Sequence, residues 1–411
     1  MDNVKKLLAS RIKIARTFFI ISAIYGLLLR LYAIVDFIPV AYKNILQAHS
    51  HVTFLGWGFL AVISIIGLVY YPEKLVQSTY LKRLFTLMTL TLFGMLISFP
   101  IQGYKVFSIV FLSVFLITSY LYLIHLLNLL KPIKSFSATY VKTGVIYYFI
   151  SSFAIWSVAI ITVKFGKIDL YFNSVYFYLH FLYNGFFVFV LFGLLLKYFE
   201  NKQITIKQDA VSKFYWLTNI ALVPAYALSL LWTDVPTYVY YIGFVAVVLQ
   251  LFSLFYFILI SKSLLKTIRS KHIRAIVYFV MISYFLKIIL QFLSAFPRII
   301  AVALQFKSYF VIGYLHLFTL GFMSMFIILL LKLHPKKKLN EKGINLLMLG
   351  IFLSELLLFM QGGMLYLFNS GIPKINAFLF VFSALIPIGL LIVHVTLLIK
   401  NKKGTPKERL L

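Results

Sequence analysis

The chain has no cysteine. That excludes disulfides, iron–sulfur clusters, thiolate copper centres and covalently attached c-type haem, all of which need Cys. Any metal must therefore be held by His, carboxylate, Tyr, Met or backbone. Charge is scarce too: Asp, Glu, Lys and Arg make up 12% of 411 residues, against roughly 25% in soluble domains. Acidic residues are the scarcest, 10 against 39 basic ones, for a net charge of +29. The composition is instead 62% hydrophobic and 18% aromatic.

The apolar residues fall in runs long enough to cross roughly 30 Å of hydrocarbon. The length criterion predicts an all-α polytopic membrane protein with about twelve spans, near 14–35, 45–71, 84–101, 106–130, 143–163, 171–196, 214–232, 237–261, 275–297, 308–331, 344–368 and 375–399. The linkers are short, so residues 1–411 read as a single transmembrane domain. The basic N-terminus is not followed by a small-residue cleavage site, and the first span is expected to be retained.

A net charge of this size could suit nucleic acid, but its placement argues otherwise. Lys and Arg cluster in alternate loops: Lys5, Lys6, Arg11, Lys13 and Arg16; Lys74, Lys82 and Arg83; Lys131, Lys134 and Lys142; Lys197, Lys202, Lys207 and Lys213; Lys262, Lys266, Arg269, Lys271 and Arg274; Lys332, Lys336, Lys337, Lys338 and Lys342; Lys400, Lys402, Lys403, Lys407 and Arg409. The intervening loops hold only isolated ones, Lys43, Lys105, Lys164, Lys167, Arg298, Lys307 and Lys374. This is the positive-inside asymmetry. It predicts both termini in the cytoplasm and therefore an even number of spans, and it fits a protein integral to a bacterial cytoplasmic membrane. The basic face suits anionic lipid, so membrane lipid is the expected partner and no nucleic acid is called for.

A motif recurs three times: "HSHVTFLGWGFL" from His49, "YLHFLYNGFFVF" from Tyr178 and "YLHLFTLGFMSM" from Tyr314. Aligned, the copies read [His/Tyr]-x-His-x4-Gly-[Trp/Phe]. The matching histidines are His51, His180 and His316, and the matching glycines Gly56, Gly185 and Gly321. The histidines lie 129 and then 136 residues apart, on the second, sixth and tenth spans, so each repeat is a unit of four helices, approximately 1–135, 136–268 and 269–411. The fourth and twelfth spans add a weaker echo, "HLLNLLK" from His125 and "HVTLLIK" from His394. Under the charge rule the three motif histidines sit at similar depth in the outer part of the bilayer. The glycines would let a flat ring or a neighbouring helix approach the backbone. A histidine in a membrane helix can simply hydrogen-bond to a neighbour. It can also hold a metal or haem iron, since neutral imidazole is the commonest metal ligand.

Three four-helix repeats with histidines on the second, sixth and tenth spans resemble subunit I of the haem–copper oxidase superfamily, which includes the nitric oxide reductases. They also resemble the related haem–copper membrane proteins of the nitric-oxide response. The resemblance implies that fold and a non-covalent, b-type haem. In the family a low-spin haem is held between a second-helix His and the second His of a His-x-His pair on the tenth helix. Carried over, that implies His51 or His49 with His316. Two residues apart on a helix, His49 and His51 point about 200° away from each other and cannot share a ligand site; the repeat register favours His51. The family's other tenth-helix His is Tyr314 here, a haem ligand or a hydrogen-bonding wall. His180 matches the family's sixth-helix copper ligand. The family's seventh-helix His–His pair is absent, so the copper set is incomplete and oxygen reduction by the family's mechanism is not implied. The metal candidates are thus His180, His51 and His316.

Other charged groups stand out within the spans. Glu355 and Lys287 fall near the middle of the eleventh and ninth spans, as a buried ion pair or as proton-path residues. Arg30 and Arg298 lie toward the outer ends of the first and ninth spans. Either could hold a haem propionate through a bidentate contact, or snorkel to headgroups. The resulting expectation is a haem-binding membrane protein for electron transfer or for binding a diatomic gas, NO or O2, with an electron-donor protein or quinol and a partner subunit as its implied partners. The alternatives are a transporter or channel with a histidine-lined path, since Pro224, Pro297, Gly362-Gly363 and Pro387 are candidate helix breaks, and a non-catalytic accessory protein that keeps the fold.

Overall fold

A computed structural model describes residues 2–333 and 339–403. Lys336, Lys337, Lys338, Lys407 and Arg409 of the basic loops lie outside the described residues. In hydrocarbon every backbone N–H and C=O must find an internal partner, which a helix supplies within one segment. The described residues accordingly contain helices and no strand. Among the described residues eleven helices are long and apolar enough to cross a membrane. They are α1 (Asp2–Leu31), α2 (Tyr42–Tyr70), α3 (Thr79–Gln102), α4 (Val106–Leu130), α5 (Phe136–Phe165), α6 (Asp169–Lys202), α8 (Thr237–Thr267), α9 (Lys271–Ser294), α10 (Lys307–Leu333), α11 (Glu341–Phe368) and α12 (Ile375–Lys403). Short helices at Pro72–Gln77 and Pro297–Gln305 join α2 to α3 and α9 to α10, each with proline in its first turn, where a missing N–H costs nothing.

The expected seventh span departs from the others. Residues 208–230 form two pieces, α7 (Gln208–Leu222) and a 3-10 turn (Pro224–Leu230), neither of them long enough to cross. The cause is Pro224, which has no N–H to give the carbonyl four residues back and whose ring opposes that turn. The described residues thus hold eleven long apolar helices and one broken segment where the hydropathy predicts about twelve spans.

The chain packs as two compact units. One holds residues 1–119, 331–361 and 371–411; the other holds 120–330 and 362–370. In the first, α1 packs against α2 and α12, and α2 against α3. In the second, α5 packs against α6, α7 against α8, α8 against α9, and α9 against α10. The ends are set by local chemistry. Ser78, Ser135 and Ser270 cap α3, α5 and α9 by accepting from the N–H of Leu81, Ala138 and Ile273, each typically worth about 1 kcal/mol. The rare acids serve the same ends. Glu200 accepts from the Ser137 hydroxyl and N–H and lies 3.3 Å from Lys197. Glu341 pairs with Lys332 at 3.1 Å. Arg11 is buried with its guanidinium 4.3 Å from the centre of the Phe85 ring.

The motif-bearing helices are also the most enclosed. In α2, α6 and α10 the apolar stretch is 89, 94 and 78% buried, against 33 to 44% in the other eight. In these three the apolar stretch is enclosed by protein, whereas His51, Tyr314 and His316 on them are half-buried.

Candidate functional site

Each motif copy breaks its helix in the same way. A π-helical segment starts at the residue after the motif histidine: Val52–Phe59 after His51, Phe181–Phe187 after His180, and Leu317–Ser324 after His316. The motif glycine is the fifth residue of each segment. A π segment is rare, usually a single turn, and frequent at functional sites. The glycines explain how neighbours come close. A Cβ on Gly56 would stand 2.8 Å from Phe18 Cβ, on Gly185 2.6 Å from Tyr147 Cβ, and on Gly321 2.7 Å from Ser283 Oγ. The contacting residue lies 38 positions upstream each time (18 and 56, 147 and 185, 283 and 321), on α1, α5 and α9 in turn.

In the first unit His49 and His51 diverge, as their spacing requires. His49 turns to α1, where its Nδ1 donates to the Ser22 carbonyl at 2.8 Å and Gly26 leaves room for the ring. Ser22 and Thr53 close this corner with a hydroxyl–hydroxyl bond. His51 turns to the C-terminal end of α3. Its ring stacks on Phe99 at 4.7 Å, and its Nε2 meets the Tyr104 hydroxyl at 2.5 Å. Gly103 delivers Tyr104 there: its φ of +63° makes the turn, and a Cβ would lie 2.6 Å from Asn44 Oδ1. Arg30, half-buried at the end of α1, is the cation whose field reaches the buried Glu355 on α11. Arg16 donates to His394 Nδ1 at 3.3 Å, tying α1 to α12. The repeated histidine of the twelfth span is thus a helix-to-helix contact.

In the second unit His180 sits at the break in α7. Its Nε2 lies 2.8 Å from the Leu222 carbonyl, so Nε2 carries the proton and donates. Nδ1 is then the acceptor, and Asn184 Nδ2 faces it at 3.4 Å. His180 therefore supplies the donor that the broken helix no longer provides at Leu222, and both its ring nitrogens are engaged. Asn173 anchors the far side of the break, its carbonyl accepting from the Tyr226 hydroxyl and its Oδ1 from Trp232 Nε1. Beside the break a narrow cavity is lined by Asn184, Thr218, Gln250, Ser253, Tyr284 and Lys287, among others. All six are at least nine-tenths buried.

His316 and Tyr314 are half-buried on α10, and Arg298 is exposed on the short helix before it. His180, His316, Tyr314, Arg298 and Lys287 belong to the second unit; His49, His51, Arg30 and Glu355 belong to the first. Among the described residues no group of three or more His, Asp or Glu side chains is gathered as a metal cage needs. The donor chemistry at His180 does not fit a copper site, because its two nitrogens serve Leu222 and Asn184. Imidazole at His51 and His316 fits haem iron chemically, and the Tyr104 hydroxyl on His51 is the kind of polar partner an iron would displace.

Sequence reasoning missed the π segments, although the threefold glycine five residues after each histidine marks them. It also missed the cavity. Asn184 and Gln250, amides inside apolar runs, were the available signal. No known family model matches this chain, and no characterised protein has a matching sequence.

Proposed function

We propose that this chain is an integral membrane haem protein built like subunit I of the haem–copper oxidases, without that family's copper centre. In this reading three four-helix repeats each present one histidine at the start of a π segment, and His51 in the first unit and His316 in the second are the histidines offered to haem iron. One observation carries the reading: the three motif copies share both the π segment after the histidine and the close glycine contact 38 residues from its partner. Such agreement over three distant stretches supports a common unit rather than three unrelated histidine contacts. When bound, haem supplies reversible one-electron chemistry or an open iron position for a diatomic gas. The chain's own residues supply imidazole at His51 and His316, and a mostly protein-lined, water-poor setting around α2, α6 and α10. Arg30 is committed to Glu355 in this reading, and Arg298 to headgroups. Both termini lie in the cytoplasm, and the broken α7 segment is the twelfth crossing.

The test is haem content. Full-length protein expressed with added haem precursor and purified in detergent should carry haem by the pyridine haemochrome assay. His51→Ala and His316→Ala should each lower its content, and His180→Ala should retain it. Haem-free wild-type protein, or equal retention in all three variants, contradicts the reading.

A second reading rests on the break in α7 and the polar cavity beside it. Interrupted helices with buried polar groups are how transporters hold substrates within the bilayer.

A further inference from the structure

Lys287 is 2% exposed on α9, and among the described residues no carboxylate lies within ion-pair distance of it. The contact the structure gives its amine is the face of the Tyr284 ring, 5.6 Å from the centroid, weaker than the anionic partner that buried charges in membrane proteins usually find. The surroundings indicate what that is. Lys287 brings three N–H donors, Tyr284 one O–H and Gln250 two N–H. Thr218 and Ser253 bond to each other at 2.6 Å, which uses one hydroxyl proton and leaves one. Against these donors stand two buried oxygens that accept no hydrogen bond, Asn184 Oδ1 and Gln250 Oε1. Asn184 cannot turn to change this without losing His180. The wall is therefore rich in donors and includes one amine. Its space admits about one water-sized particle.

We propose that the cavity beside the break in α7 binds one small monatomic anion, such as fluoride or chloride, held by Lys287 with the hydroxyls of Tyr284 and Ser253. The anion neutralises the lysine, and the narrow space excludes larger ions. The site stands independently of the haem reading.

The test is anion-dependent stability of the full chain in detergent, at constant ionic strength with gluconate as the balancing ion. Fluoride and chloride are each titrated while the melting temperature is followed. The site predicts a saturable rise with at least one of them and none with sulfate. Lys287→Met abolishes the rise, whereas Lys262→Gln, an exposed lysine, keeps it. Tyr284→Phe raises the half-saturating concentration by about threefold to tenfold, the effect of one lost hydrogen bond. No saturable rise in the wild type, or a rise that survives Lys287→Met, overturns the proposal. If Lys287→Met does not fold, Tyr284→Phe decides: an unchanged half-saturating concentration overturns it.

Discussion

Replacing Gly185 by alanine tests the packing of the motif directly. The new Cβ would lie 2.6 Å from Tyr147 Cβ and 2.8 Å from Tyr147 Cγ, whereas ordinary contact begins at 3.4 Å. Both atoms sit at the root of the tyrosine, so no change of rotamer removes the clash, and α5 and α6 must part by most of an ångström. Overpacking of this kind costs about 1–3 kcal/mol. Alanine returns up to about 1 kcal/mol through its better helix propensity. With the full return the net loss should be about 0–2 kcal/mol, and about 1–3 kcal/mol relative to an alanine placed in open space. Gly56→Ala, 2.8 Å from Phe18 Cβ, should behave similarly. Gly321→Ala should lose less, because the Ser283 hydroxyl it meets can rotate away. Gly363 is the control: nothing lies within 4 Å of its added Cβ, so Gly363→Ala should be neutral or slightly stabilising. The assay is reversible denaturation in mixed micelles followed by circular dichroism. Gly185→Ala as stable as Gly363→Ala would refute the close approach of the two helices.

Three further outcomes follow from the same structure. His180→Ala should cost about 1–3 kcal/mol by leaving the buried Leu222 carbonyl without a donor, with His180→Gln recovering part of it; equal stability of the alanine variant and wild type in the same denaturation assay would contradict the capping role. Arg30→Gln and Glu355→Gln should be energetically coupled, because the Arg30 charge acts on the buried Glu355; strictly additive changes in a double-mutant cycle would rule out the coupling. The cysteine-free chain allows single-cysteine topology mapping: Asp36→Cys and Lys105→Cys should react with an impermeant maleimide from outside intact cells, and Lys202→Cys only after permeabilisation, the reverse pattern contradicting the assigned orientation.

Much of the architecture was legible because hydropathy is written one residue at a time. Eleven long helices sit where apolar runs of membrane length stand. The seventh fails at Pro224, a residue whose effect depends on whether neighbours can satisfy the freed carbonyls; here His180, 42 positions upstream, does so at Leu222. The motif was visible as spacing, and the divergence of His49 and His51 follows from helix geometry alone. What spacing could not reveal is which neighbour each ring meets. Tyr104 reaches His51 through the turn at Gly103, and Asn184 completes His180 from one turn away on its own helix. The polar cavity was hidden for the same reason: its residues come from α6, α7, α8 and α9, and each one alone is a lone polar side chain in an apolar run.

The most direct measurement is the reduced-minus-oxidised absorption spectrum of the detergent-purified protein, beside His51→Ala, His316→Ala and His180→Ala. The account predicts a sharp reduced α-band in the wild type and in His180→Ala, lost or shifted in the other two. A flat spectrum in the wild type after haem supplementation, or a band indifferent to His51 and His316, would contradict it.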